Sequence, residues 1–212
     1  MKSTSTNPGG DIQAIRDIME RSSKFLSLSG LAGIFAGICA LTGALAAWIF
    51  IFGPVQVSFG EYILQKNSPA SDRTGLYLAL AAMAVLISAM TGAVYFSQRK
   101  ARRSSQKFWT NTTRRLLIHL LIPLVTGGLL ILILAYRGNP ELIIPAMLIF
   151  YGLALVNAGK FTFGEIHYLG LTQIALGLLA ALFVKQGLLL WTVGFGLMHI
   201  IYGSVMYYRH ER

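Results

Sequence analysis

Acidic residues are scarce in this chain. Eight Asp and Glu stand against 18 Lys and Arg in 212 residues, and no Asp, Glu, Lys or Arg lies deep within an apolar run. Charged residues of both signs make up 12%, about half the usual complement of a soluble domain. With no carboxylate at membrane depth there is no obvious ion carrier, which argues against a proton pump or a cation-coupled machine. Cysteine is nearly absent. Cys39 stands alone, so an intramolecular disulfide is excluded and the redox compartment is left open. HExxH, phosphate-loop and Ser or Cys nucleophile motifs are missing, as are paired intramembrane aspartates, so neither an intramembrane protease nor a lipid-modifying enzyme is indicated.

What fills the chain instead is apolar sequence. Hydrophobic residues reach 55%, gathered in six long runs. The expected architecture is an all-α, polytopic membrane protein with a six-helix transmembrane domain over 25–208. Its spans fall near 25–52, 76–96, 116–136, 142–158, 169–184 and 188–208. Each is long enough, or nearly so, for a hydrocarbon core of about 30 Å. Six spans leave too little sequence for a soluble domain. The segment 1–24 reads as a cytoplasmic tail and 209–212 as a second one. The first run is too long for a signal-peptide core and reads as a retained helix.

Charge sets the expected direction. Lys2, Arg16, Arg21, Lys24, Arg99, Lys100, Arg102, Arg103, Lys107, Arg114, Arg115, Lys160, Arg209 and Arg212 fall on one side; Lys66, Arg73, Arg137 and Lys185 fall on the other. The positive-inside rule places both termini in the cytoplasm. The net charge of +10 then reflects topology, not nucleic-acid binding. Within the tail, Asp11 is positioned to cap an amphipathic helix over 12–19, with Ile12, Ile15, Ile18 and Met19 on one face. It reads as an interfacial anchor, with partner docking as the alternative.

The apolar runs carry a pattern. Gly30-Leu31 followed by Ile34, Gly37, Ile38 and Ala40 is matched by Gly170-Leu171 followed by Ile174, Gly177, Leu178 and Ala180. Tyr151-Gly152 and Tyr202-Gly203 correspond in the returning helices. This predicts three hairpins of one orientation about a pseudo-three-fold axis, a parallel internal repeat. Ser29, Gly33, Gly37, Ala40 and Ala44 form a small-residue stripe that suits close helix packing in lipid.

Polar residues at membrane depth concentrate in the cytoplasmic half: His119, Asn157, Gln173, His199, Tyr202, Tyr151, Ser88 and Thr91. These are the pocket candidates, set against the plainer reading of one interhelical hydrogen bond each. His199, near mid-depth, is the foremost of them, expected at the closed end of a cytoplasm-facing cavity with its Gly196-to-Gly203 face against the first or fifth helix. His119, beside Pro123, is expected at the mouth. His119, Glu165, His167 and His199 are metal or haem ligands by type, but their spacing and depths do not converge, so no metal and no cofactor is expected. The connection 97–115 carries Arg99, Lys100, Arg102, Arg103, Lys107, Arg114 and Arg115 and no acid. It suits anionic lipid headgroups or an acidic protein partner.

The segment Ser23-Lys24-Phe25-Leu26-Ser27-Leu28-Ser29-Gly30-Leu31, continuing to Gly33-Ile34, resembles the beginning of small six-helix inner-membrane proteins of Bacteroidetes-type bacteria. Gly194-Phe195-Gly196-Leu197-Met198-His199-Ile200-Ile201-Tyr202-Gly203 resembles the ending of the same group. The Gly-rich hairpins are more loosely similar to HdeD-like acid-resistance membrane proteins. The first resemblance covers the full chain and implies six spans in the inner membrane; neither transfers a site. The expected function is that of a non-enzymatic accessory or regulatory membrane protein. A small-solute transporter is the alternative, and a metal- or haem-binding membrane protein a third reading. Oligomeric state is left open.

Overall fold

The computed structural model describes residues 28–52, 58–64, 69–104 and 109–212. The amphipathic segment 12–19, together with Lys107 and Phe108, lies outside them. Every regular element among the described residues is a helix. α1 (Gly30–Ala46) continues as a π segment, Ala47–Phe52. The short α2 (Phe59–Leu64) precedes α3 (Pro69–Arg103) and α4 (Asn111–Tyr136). A 3-10 turn, Pro140–Leu142, leads into α5 (Ile143–Gly159), which is followed by α6 (Gly164–Leu182). The last span is composite: a 3-10 turn Val184–Gln186, α7 (Gly187–Trp191), a π segment Thr192–Met198 and α8 (His199–His210). Six helices are long and apolar enough to cross a membrane.

Local chemistry sets the boundaries. Among the described residues the first helix begins at Gly30, where Ser29 is extended (φ −98°, ψ 134°) and takes the N-cap position. α3 runs well past the apolar run 76–96 at both ends, on residues that a hydropathy reading discards. Thr110 caps α4 by accepting the Thr113 amide at 3.2 Å, while the Thr113 hydroxyl accepts the Thr110 amide at 3.3 Å. α4 closes on Gly138 at φ +67°, where the Asn139 amide reaches the Leu134 carbonyl and the Gly138 amide reaches Ala135. That closure needs a left-handed residue, which glycine supplies without strain. Pro123 sits inside α4, which nonetheless runs unbroken to Tyr136. On α2, Ser58 and Glu61 exchange backbone-to-side-chain bonds, and the Ser58 amide holds the Glu61 carboxyl below the ordinary glutamate range.

The spans pack as an open arc. The first lies against the second and the sixth, the fourth against the third and the fifth, and the fifth and sixth join the two groups. The second and third spans occupy the flanks. Only 6% of each one's apolar window is buried, against 39% for the fourth and 33% for the fifth. Hydrophobic transfer contributes little between helices in lipid, so backbone proximity must carry the packing. Glycine supplies it along two seams. A methyl group on Gly203 would lie 2.6 Å from the Ile34 amide nitrogen and 2.8 Å from the Gly30 carbonyl oxygen. One on Gly37 would lie 2.6 Å from the Gly196 carbonyl oxygen. The second seam joins the fourth and fifth spans, where a methyl on Gly152 would meet the Gly170 carbonyl at 2.6 Å.

These contacts leave no room for a single carbon. Gly203→Ala should destabilise the protein by about 1–3 kcal/mol through overpacking. Gly128→Ala, with nothing within 4 Å of the added methyl, should be neutral or stabilising by up to about 1 kcal/mol. Equilibrium unfolding of both variants in mixed micelles measures the contrast.

Candidate functional site

The composite sixth span builds the polar centre. Its sequence Thr192-Val193-Gly194-Phe195-Gly196-Leu197-Met198 forms the π segment, and a π turn takes a backbone carbonyl out of the regular α-helical ladder. The Gly194 carbonyl receives two side-chain donors instead: Gln173 Nε2 from α6 at 2.7 Å and His199 Nδ1 at 3.0 Å. The other imidazole nitrogen, Nε2, lies 2.7 Å from the Tyr151 hydroxyl on α5. A carbonyl can only accept, so Nδ1 carries the proton; Nε2 of the neutral ring then accepts from the Tyr151 O–H. One network thus ties the fourth, fifth and sixth spans together. Phe195 stacks on the His199 ring at 5.9 Å and lies 5.0 Å from Tyr151, with Trp191 5.2 Å beyond it.

The cluster is interior. Gln173 is 0% exposed and His199 6%. Gln173 Oε1 is buried without a hydrogen-bond partner, so the network keeps one open acceptor. As the sequence led us to expect, His199 faces the bundle, and its Gly196-to-Gly203 face packs on the first helix. Its partners are Tyr151 and the Gly194 carbonyl; Gln173 meets it only through that shared oxygen. Tyr202 lies one turn further along, its hydroxyl 3.4 Å from that of Thr172.

The other pocket candidates do not join. Ser88 and Thr91 are exposed on α3, and the Thr91 hydroxyl bonds back to the Ile87 carbonyl at 2.8 Å. These residues sit on a flanking span whose apolar window is only 6% buried. His119 is likewise exposed and stacks on Phe161 at 4.9 Å. Asn157 is half-buried near the end of α5. No group of three His, Cys, Asp or Glu gathers among the described residues.

A second polar cluster, which sequence reasoning missed, closes the face that carries the C-terminus. Glu211 accepts from the Ser29 hydroxyl at 3.0 Å and from the Gly30 amide, so it caps α1 from the far end of the chain. Lys100 reaches Glu211 at 3.4 Å and the Leu28 carbonyl at 2.7 Å, and lies 5.0 Å over the Phe163 ring. Beside it Glu165 binds Arg209 at 3.1 Å and His210 at 3.3 Å. Lys100 is therefore turned inward, unlike its neighbours: Arg99, Arg102, Arg103, Arg114 and Arg115 are exposed. The sequence signal was faint, a lone acid in a basic tail and a first helix with no acid in its opening turn.

No family model, curated relative or solved structure matches the chain. The six apolar helices define the class, a multi-pass α-helical membrane protein.

Removing both partners of the buried hydrogen bond should cost less than the two single removals added together. Tyr151→Phe strands His199 Nε2 and should lose about 1–3 kcal/mol; the Tyr151→Phe, His199→Leu pair should lose less than the sum of its single variants. A double-mutant cycle by reversible unfolding measures this. At the closing cluster, Glu211→Gln leaves Lys100 without its counter-charge and should cost about 1–3 kcal/mol. Arg99→Gln, on the exposed rim, should stay within about 0.5 kcal/mol. Thermal unfolding of the two variants side by side checks that difference.

Proposed function

We propose that this chain is a non-enzymatic accessory or regulatory protein of the bacterial inner membrane. Both termini lie in the cytoplasm, and the protein acts by presenting a basic rim to a partner. The observation that carries this reading is the contrast between spent and unspent polarity. At membrane depth, Gln173, His199 and Tyr151 bond to one another or to a backbone carbonyl inside the bundle. At the ends of α3 and α4, Arg99, Arg102, Arg103, Arg114 and Arg115 stand exposed, and no ion pair engages them among the described residues. Five exposed cations close in sequence favour an acidic protein surface or anionic headgroups.

Native co-purification tests the reading. Converting the five arginines to glutamine should abolish capture of the partner while leaving folding and membrane insertion unchanged. Solute uptake by the purified protein alone in liposomes would replace this reading with that of a small-solute transporter.

A further inference from the structure

At the end of the bundle away from the C-terminus, the first and sixth spans separate. Glycine holds their backbones together from Gly30 and Gly203 as far as Gly37 and Gly196. Beyond that point large side chains enter the interface. Leu41 packs onto Gly196, and Trp191, 8% exposed, fills the space beside Ala40 and Ala44. The helices therefore diverge, and a groove of about 810 Å³ opens between them. Its walls are mostly apolar: Leu41, Leu45 and Trp48 on one side, Leu189 and Val193 on the other, with the Thr192 hydroxyl turned back to the Leu188 carbonyl at 2.7 Å. Polar groups occur at its rim, where Ser58, Lys185 and Gln186 line the opening.

The dimensions match one leaflet. Lys185 to Val193 is eight residue steps, about 12 Å at an α-helical rise, against about 15 Å for half of a hydrocarbon core. Trp48, 66% exposed, sits where an aromatic residue marks the membrane–water boundary. The cation is placed with care. Gly60 of α2 lets that helix close on the Lys185 stem, since a methyl there would lie 3.1 Å from Lys185 Cβ. Phe59 of the same helix packs over Gly187. No ion pair engages Lys185 among the described residues. The acid on α2, Glu61, is bound to the Ser58 amide at 2.6 Å, its charge directed at its own helix N-terminus.

We propose that this groove is a binding site for an anionic glycerophospholipid, one acyl chain lying between Leu45 and Leu189 and the phosphate at Lys185. The occupant follows from the geometry. A wall of this length, apolar below and cationic above, fits a molecule with a long alkyl chain and a negative head. A soluble metabolite would meet hydrocarbon along most of its length, and a zwitterionic lipid would bring its own cation to Lys185. The site is separate from the basic rim of the proposed function and stands or falls without it.

Quenching of tryptophan by brominated lipid provides the test, using the full chain carrying Trp109→Phe, which removes the emitter beside the basic rim, in detergent micelles titrated with phosphatidylglycerol or phosphatidylcholine brominated on one chain. Phosphatidylglycerol should quench at about five-fold lower concentration than phosphatidylcholine, the preference one lysine near a surface supplies. Lys185→Gln should remove that preference and Lys185→Arg should keep it. Leu189→Phe, which fills the groove at a position already 62% exposed without adding an emitter, should weaken the response of Trp48 to both lipids. Equal quenching by the two lipids in the unaltered protein, or a preference that survives Lys185→Gln, would overturn the proposal.

Discussion

Close approach of helix backbones at glycine is the constraint on which this structure depends. A bundle in lipid cannot hide its apolar faces from water, because they are not in water to begin with. Dispersion between surfaces in contact must hold it, and that attraction fades within a fraction of an ångström of lost contact. The seams at Gly30, Gly33 and Gly37 against Gly196 and Gly203, and at Gly152 against Gly170, bring main chain against main chain. The second and third spans make no comparable seam. They meet their neighbours through side chains, as where Phe35 fills the space beside Gly92 and Phe150 the space beside Gly127. They consequently lie on the flanks with most of their surface turned outward.

The polar centre grows out of the same glycines. A sixth span able to press against the first through Gly196 also has the backbone freedom to form a π turn over Thr192–Met198. That turn offers the Gly194 carbonyl to side chains, and Gln173 and His199 take it. Gly194 has its own steric reason to lack a side chain, since a methyl there would lie 2.6 Å from Gln173 Oε1. Packing and polarity are thus one design along the sixth span: small residues permit approach, and in the low-dielectric interior that approach creates each satisfied hydrogen bond is stronger than it would be in water. A fully buried glutamine is tolerable in such a place because its amide finds a carbonyl that a regular helix would have kept for itself.

Much of this was legible in the chain. Six apolar runs announced six membrane-spanning helices, and the glycine stripe on the first helix foretold its place at a close interface. His199 read correctly as an inward-facing residue because a polar ring in hydrocarbon has nowhere else to go. Hydropathy alone could not assign facing for weakly polar residues. Ser88 and Thr91 turn outward because a hydroxyl can satisfy itself on its own helix, as Thr91 does on the Ile87 carbonyl. Lys100 escaped notice for a different reason. Positive charge near a span is so well explained by topology that one inward lysine among seven basic residues carries no mark of its own. Its partner, Glu211, is more than a hundred residues away. The π segments were equally silent, since a break in i-to-i+4 bonding leaves no compositional trace beyond glycine.

The two ends of the bundle differ because small residues are unevenly placed along it. At the C-terminal face, glycine contact, the capping of α1 by Glu211 and the Lys100 bridge all close the same junction. Three kinds of interaction converge there, and each lowers the entropic cost of the next by fixing the helices that carry it. At the opposite face Leu41 and Trp191 act as wedges, and the first helix passes into the π turn Ala47–Phe52. One pair of helices is thus closed at one end and open at the other. Whatever fills the open end would touch the first and sixth spans, the same two that the glycine seam joins at the closed end. A lipid there would be a structural component of the bundle as much as a ligand of it.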